Sequence, residues 1–473
     1  GGAGGGGRGG GVGMGAAPQA GSGWGGALQG RAGREAVAAE LGFEQVGEPV
    51  PSSLTLGEVA GSLPPRVYEL CPWRAWGRVA ISLGTFAACL GLIAVSPPAL
   101  LPFSWFLAGT SFTGFFVVGH DCGHRCFSRH RGLEDIVGTL MMVPLVYPFE
   151  PWRIQHNLHH AHTNKLGLDT AWHPIMPESF EASSATVRGL QAALLGSPCK
   201  LFASVGHCLE MHFDPRRFTP EQRPRVWVSL AAVAAFIALG WPLIGYYTGG
   251  VTGWAKFWLM PWLGYHFWMS AFTLVHHTAP HIPFKSPKEW NACEAQLGGT
   301  VHCVFPRWVD FLTHDISVHI PHHVDSRIPS YRLREAHAAL HQRWGRYMNI
   351  TALPKHWRLV LYWCCRECCL YDARRNYQPF PTTRSRRPGR GAPPPAGGGA
   401  GARAASIEAP APPLHSILSE KKKNTPVTRA AVPDGESPKG TARARRALIP
   451  RDVTPRDALP RTVTHRGCQP PPP

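Results

Sequence analysis

Apolar residues in this chain gather into a few long runs instead of alternating with polar ones, and the runs set the first expectations. Residues 79–96 (VAISLGTFAACLGLIAVS) and 99–119 (ALLPFSWFLAGTSFTGFFVVG) approach or reach the ~20 residues that a helix needs to cross a bilayer. Pro97 and Pro98 lie between them and predict a tight turn. Residues 226–247 and 254–275 form a second such pair, the latter with Trp and Tyr dense at its start, as in an interfacial aromatic belt. The run at 137–148 is too short to span and carries Pro144, which predicts an interfacial or re-entrant segment. Two hairpins return the chain to its starting side. Residues 120–225 and everything after 276 are therefore expected on one membrane face, with amphipathic helices after Tyr331. The fold class expected is an all-α integral membrane protein: four transmembrane helices under a helical cap.

Composition sharpens this picture. Only 16% of residues are charged, below the usual soluble share of about a quarter. The net charge of +18 is uneven: from Arg384 onward 17 Lys and Arg face six Asp and Glu, a net of +11 in a Pro-, Ala- and Arg-biased stretch. That bias predicts a solvated disordered tail suited to anionic lipid headgroups. No basic folded face is visible, so a nucleic-acid partner is not expected. The chain divides into a Gly/Ala-rich, largely disordered segment (1–65), a membrane domain (66–380) and the basic tail (381–473). The first ~45 residues have Arg, no acid before Glu35 and no apolar signal core, which suits an organellar transit segment. Thirteen cysteines show no secreted-domain framework. Cys364, Cys365, Cys368 and Cys369 have a spacing that a metal or disulfide could use, though buried thiols are the simpler expectation.

Histidines supply the chemistry. His120 and His124 stand at i, i+4, one turn apart on a helical face. His156, His159 and His160 stand at i, i+3, i+4, and His319, His322 and His323 repeat that spacing, with Pro321 disturbing an ideal helix inside the third box. Eight imidazoles exceed the four ligands of a tetrahedral zinc and suit two metal ions with open positions. Imidazole alone does not name the metal. His162 lies about 200° round the helix from His160 and is expected outside the ligand set. Asp121, between His120 and His124, points off their shared face, which argues against a carboxylate-rich di-iron bundle.

The series GHDCGH, EPWRIQHNLHH, DTAWHP, VHHTAPHIPF and HIPHH resembles the membrane fatty acid desaturases. More narrowly it is similar to the plastid omega-6 (delta-12) desaturases of plants and algae and their cyanobacterial relatives. VGTLMMVPLVYPFEPWR, GWAKFWLMPWLGYHFWMS and IPSYRLREAH agree as well, and the likeness runs from about Tyr68 to Phe380. The resemblance implies a di-iron centre, O2 as co-substrate, an oleoyl-type chain esterified in a chloroplast glycerolipid, and ferredoxin as electron donor. It implies a chloroplast membrane, inner envelope or thylakoid, and a ninth ligand after the fourth span. His277 is the first choice there and His281 the second, with His276 beside them as further candidates for ligand support. Asp121 and Asp169 are expected to orient ligands, since ligating imidazoles donate their other N–H to a carboxylate or carbonyl. His302 and His314 are candidate supporting donors.

Two rivals remain at this level. An acyl hydroxylase or carotenoid oxygenase shares the same boxes, and only the longer-range text favours desaturation. A histidine-rich metal transporter would put polar ligands near the bilayer midplane, whereas the four runs are nearly free of them, His266 excepted.

Overall fold

The computed structural model describes residues 24–352, 355–373 and 375–381. The basic tail and the first part of the Gly-rich segment lie outside the described residues. The rest of that segment, expected to be unstructured, is folded: helix α1 (Arg31–Leu41) buries Val37, Ala38 and Leu41, and Phe43 after it is 1% exposed. The Gln45 amide donates to the carbonyls of Gly345 and Met348 at 2.6 and 2.9 Å, tying this stretch to the cap. Composition at the extreme N-terminus had masked a short amphipathic pattern further on.

Three described helices are long and apolar enough to cross a membrane: α2 (Pro72–Val95), the stretch Pro98–Gly123, whose regular part is α3 (Leu101–Gly123), and α8 (Arg223–Thr248). Between α3 and α8 lie α4 (Arg131–Met142), α5 (Phe149–His162), α6 (Ala185–Leu195) and α7 (Ala203–His212). The run expected to be re-entrant is a sharp bend: Arg131–Leu145 and Phe149–His162 meet at 100°, together apolar enough to count as one broken span. The fourth expected span, 254–275, is not a uniform apolar helix. It is built from a short helix (Gly250–Trp254), a π turn (Ala255–Leu259) and α9 (Met260–His277). A second π turn, Phe236–Gly240, interrupts α8. Each π turn stands just before a proline, Pro242 or Pro261, whose missing N–H and ring a regular α-helix cannot accommodate. Gly249 and Gly250 take φ of 96° and 78° between α8 and this helix, a left-handed turn open to residues without a Cβ.

Helices α3 and α9 run side by side toward the same end. Trp105 donates to the Lys256 carbonyl at 2.9 Å, and Trp268 donates to Thr110 Oγ1 at 2.8 Å. Gly109 meets Gly264 so closely that a Cβ on Gly109 would stand 2.5 Å from the Gly264 Cα. Small residues at such a crossing let two backbones approach where lipid offers no hydrophobic drive to pack. Trp258 and Trp262 of the same aromatic-rich run donate to the carbonyls of Pro144 and Leu145 at 2.9 and 2.7 Å, satisfying acceptors freed by the bend. Above the helices lies the cap. Its parts are α10 (His319–Val324), α11 (Leu333–Trp344) and parallel strands β1 (Val301–Val304) and β2 (Asn349–Ala352), paired Val301 to Asn349 through Val304 to Ala352.

Candidate metal centre

Each histidine box sits at the cap-side end of an element. His120 is on the last turn of α3 and His124 caps it, their rings 4.6 Å apart. The second box is on α5. The third opens α10, so Pro321 falls in the first turn, where its missing N–H has no intrahelical acceptor to lose. Pro321 is thus compatible with a helical third box, which its sequence position alone left in doubt.

The three boxes converge. Nitrogens of His120, His124, His156, His160 and His322 all lie within 4.8 Å of one another, and those of His159, His277 and His323 form a second such set. His319 joins the second set at its edge: its Nε2 is 3.1 Å from His277 Nε2, and its ring is 4.5 Å from that of His323. The sets touch through His160 and His323, stacked at 4.2 Å. Such a donor set, nine imidazoles in two adjoining groups, has room for two ions and the chemistry to hold them.

Proton bookkeeping agrees with that fit. His159 Nδ1 is 2.7 Å from Asp169 Oδ1; a carboxylate only accepts here, so Nδ1 carries the proton and the Nε2 lone pair is free. Asp169 is itself fixed by the backbone N–H groups of Asn164 and Ala171, at 2.7 and 2.9 Å. His323 Nδ1 donates to Gln296 Oε1 at 2.8 Å, while the Gln296 amide donates to the His160 carbonyl, which settles the amide's orientation. His323 Nε2 and His124 Nε2 are buried with no hydrogen-bond partner. An orphaned imidazole nitrogen costs about 1–3 kcal/mol, and a metal ion is the group that would satisfy several at once. Burial, reinforced by neighbouring imidazoles, holds the basicity of His319, His322 and His323 well below the ordinary range. They are neutral, the ligating form.

The other candidates divide. His276 stacks on His319 at 3.9 Å and buttresses it. Asp121 accepts from the Ser330 backbone at 3.1 Å and stands 3.8 Å from His120 Nδ1, so it anchors the cap loop instead of bonding a box histidine. His281 pairs with Asn349 Oδ1 at 3.1 Å and packs edge-on against Phe43, away from both sets. His314 is 2.7 Å from Ser82 Oγ on α2, and His302 stacks on His337 at 4.0 Å; neither touches a box. His314 and Asp315 both hold positive φ, 53° and 63°, in the loop leading to the third box, with Asp315 paired to Arg78 at 2.9 Å. His162 is in neither set, its ring 6.4 Å from Trp290. Sequence reasoning missed Gln296, which no box spacing marks, and Trp152, which stacks on His156 at 4.7 Å. Trp152 sits one turn before His156, a signal that could have found it. The four clustered cysteines belong to neither metal-capable group among the described residues; Cys364 Sγ donates to the Thr278 carbonyl.

A cavity lined by His120 and His156 of the first set and His159, His277 and His319 of the second descends between α3, α7 and α9. Phe116, Val117, Phe272 and Leu274 give it an apolar wall, and Thr170 and Ser204 a polar one. Residues 72–353 match the sequence profile of the family described as fatty acid desaturase. The chain belongs to the fatty acid desaturase family. Its members are oxidoreductases, and the cavity ending among imidazoles is what such chemistry requires. This desaturase is 52% identical over 347 residues to the chloroplastic omega-6 fatty acid desaturase of Spinacia oleracea, covering 73% of this chain and 76% of that one. It is 48% identical over 328 residues to the sn-1 oleoyl-lipid 12-desaturase of Picosynechococcus sp., covering 69% and 93% respectively. With the protein of the same name from Synechocystis sp. it shares 46% identity over 330 residues, 70% of this chain and 92% of that one.

Proposed function

We propose that the protein is an acyl-lipid omega-6 (delta-12) desaturase, placing a second cis double bond in a monounsaturated chain esterified to a membrane glycerolipid. The reading is carried by the length of the identity to relatives bearing that name, because the histidine boxes alone are shared with hydroxylases. Overall, one O2, two electrons and two protons are consumed with the two abstracted hydrogens, leaving the alkene and two waters.

His120, His124, His156, His160 and His322 would hold one iron, and His159, His277, His319 and His323 the other. Those irons supply the O2 activation that removes hydrogen from an unactivated C–H bond, which no side chain can attack. The chain's own residues do the rest. Asp169 and Gln296 keep two imidazoles in the ligating tautomer. Phe116, Val117, Phe272 and Leu274 exclude water from the acyl chain and fix which carbons reach the top of the cavity. Four membrane crossings in two hairpins would keep the centre on one face, with α9 as the fourth crossing. Ferredoxin is the external electron donor, and a chloroplast membrane, inner envelope or thylakoid, the site of action. No haem-binding segment is recognisable in the chain, which accords with an external donor.

The test is expression with ferredoxin and its reductase in a host rich in monounsaturated lipids. New doubly unsaturated chains and roughly two irons per chain, the two-metal stoichiometry, are expected. Hydroxylated chains, or zinc with unchanged lipids, would overturn the reading.

A further inference from the structure

The cavity has a thin wall. The turn Pro198–Phe202 and the start of α7 contribute Lys200, Ala203, Ser204 and His207 to its lining. On their outer side the same segments expose Phe202 and Leu209, and α6, which leads into them, has no buried residue and exposes Val187, Leu190 and Leu194. These last three recur at i, i+3, i+7, a single apolar face.

The depth of this wall says what covers it. Phe202 packs against Phe267 of α9 at 6.2 Å, and Phe267 packs against Phe106 of α3 at 5.9 Å. Phe267 precedes His277 by ten residues on α9, so this level lies about 15 Å below the imidazoles, beside α3, which is apolar enough to cross a membrane. A bilayer crossed by α2, α3 and α8 would surround that level with acyl chains. Phe202 is 42% exposed there, one residue from the cavity lining.

The wall is held on its inner side: His207 Nε2 lies 2.9 Å from the Thr170 carbonyl, and the His212 ring packs against Tyr147 at 5.0 Å. Lys200 donates to the carbonyls of Cys364 and Cys368 at 2.6 and 2.9 Å and lies over the Trp172 ring. Ser204 is held by Ser270 and His266, its backbone N–H 3.0 Å from Ser270 Oγ.

We propose that residues 198–212, with α6 before them, form a lipid-facing portal through which a glycerolipid's acyl chain enters the cavity sideways from the leaflet. This rests on the acyl-lipid desaturase reading and specifies how its substrate arrives. The headgroup stays at the interface and only the chain crosses the wall, so no lipid need leave the membrane.

Two measurements on the full chain in membranes test it. A photoreactive benzoylphenylalanine at position 202 or 209 should capture glycerolipid, and one at Arg343 on the cap should not. Phe202→Asp should raise the apparent KM for membrane glycerolipid about fivefold or more with kcat nearly constant, the signature of lost substrate access. Bound iron should be unchanged, and Phe202→Leu should behave as wild type. Capture without a KM change would mean position 202 merely faces lipid, and would overturn the portal. Absence of capture at both positions would do so as well. If the wild type makes no doubly unsaturated product, the functional reading fails by itself, while the photocapture result still reports on the wall.

Discussion

His159 and His162 are three residues apart, and their roles separate. His159 lies in a metal-capable set and is held by Asp169, whereas His162 belongs to neither set. Replacing His159 with Ala should abolish product and lower bound iron; His162→Ala should keep most of both. Equal losses, measured by acyl-chain and metal analysis, would show the second box to be drawn wrongly. Asp169→Asn leaves the shape but not the charge that fixes the His159 tautomer, and should cost about 10–100-fold in metal affinity. Gln296→Leu removes the shorter partner of the His323 Nδ1–H, leaving only Thr163 Oγ1 at 3.4 Å, and should act in the same direction, read by iron retained during dialysis against a chelator. Box histidines are legible in the sequence because their spacing is the helix repeat itself. Gln296 is not, because it meets His323 only through the fold.

Helices were legible where one physical cause dominates. Runs of apolar residues mark α2, α3 and α8, since the bilayer asks only for length and hydropathy. The fourth run carries Pro261, His266 and many aromatic rings, and its helix is shaped by partners instead: tryptophan N–H groups meet the carbonyls of the bend, and Gly264 meets Gly109. Gly109→Leu should therefore be worse than an ordinary apolar swap. Overpacking at such a contact costs about 1–3 kcal/mol, seen as a lower midpoint of thermal unfolding in detergent, with Gly109→Ala intermediate. The same spacing that orders the boxes could not say whether Pro321 would break the third one. Only the start of α10 at His319 answers that.

Across the molecule, burial keeps many imidazoles neutral beyond the boxes. His281, His302 and His356 are pushed down to about 4, 3 and 4 by burial. Unfolded, each would titrate near the ordinary 6.5, so below that pH the unfolded chain binds more protons than the folded one. Stability from these groups should be full above about pH 6.5 and fall steadily down to about pH 3, the folded value of His302. Unfolding of the metal-free protein against pH tests this, and His281→Leu should flatten the slope. A metal ion held by the boxes would bind the folded chain and add stability by mass action, so, on the di-iron reading proposed above, chelation should lower the melting temperature and ferrous iron restore it.

By itself the sequence determined the membrane-length helices, the three boxes and the chemistry that eight spaced imidazoles can perform, because these follow from local repeats and composition. It also placed His277 as the first choice for the ninth imidazole, from its position just past an apolar run. Tertiary structure decided the partition of nine imidazoles between two sets, which depends on distances among elements as far apart as α3 and α10. It decided that His276 buttresses His319 while His281 and His314 serve the cap and α2. An isolated histidine carries no sign of its partner, and only the packing of remote segments supplies one.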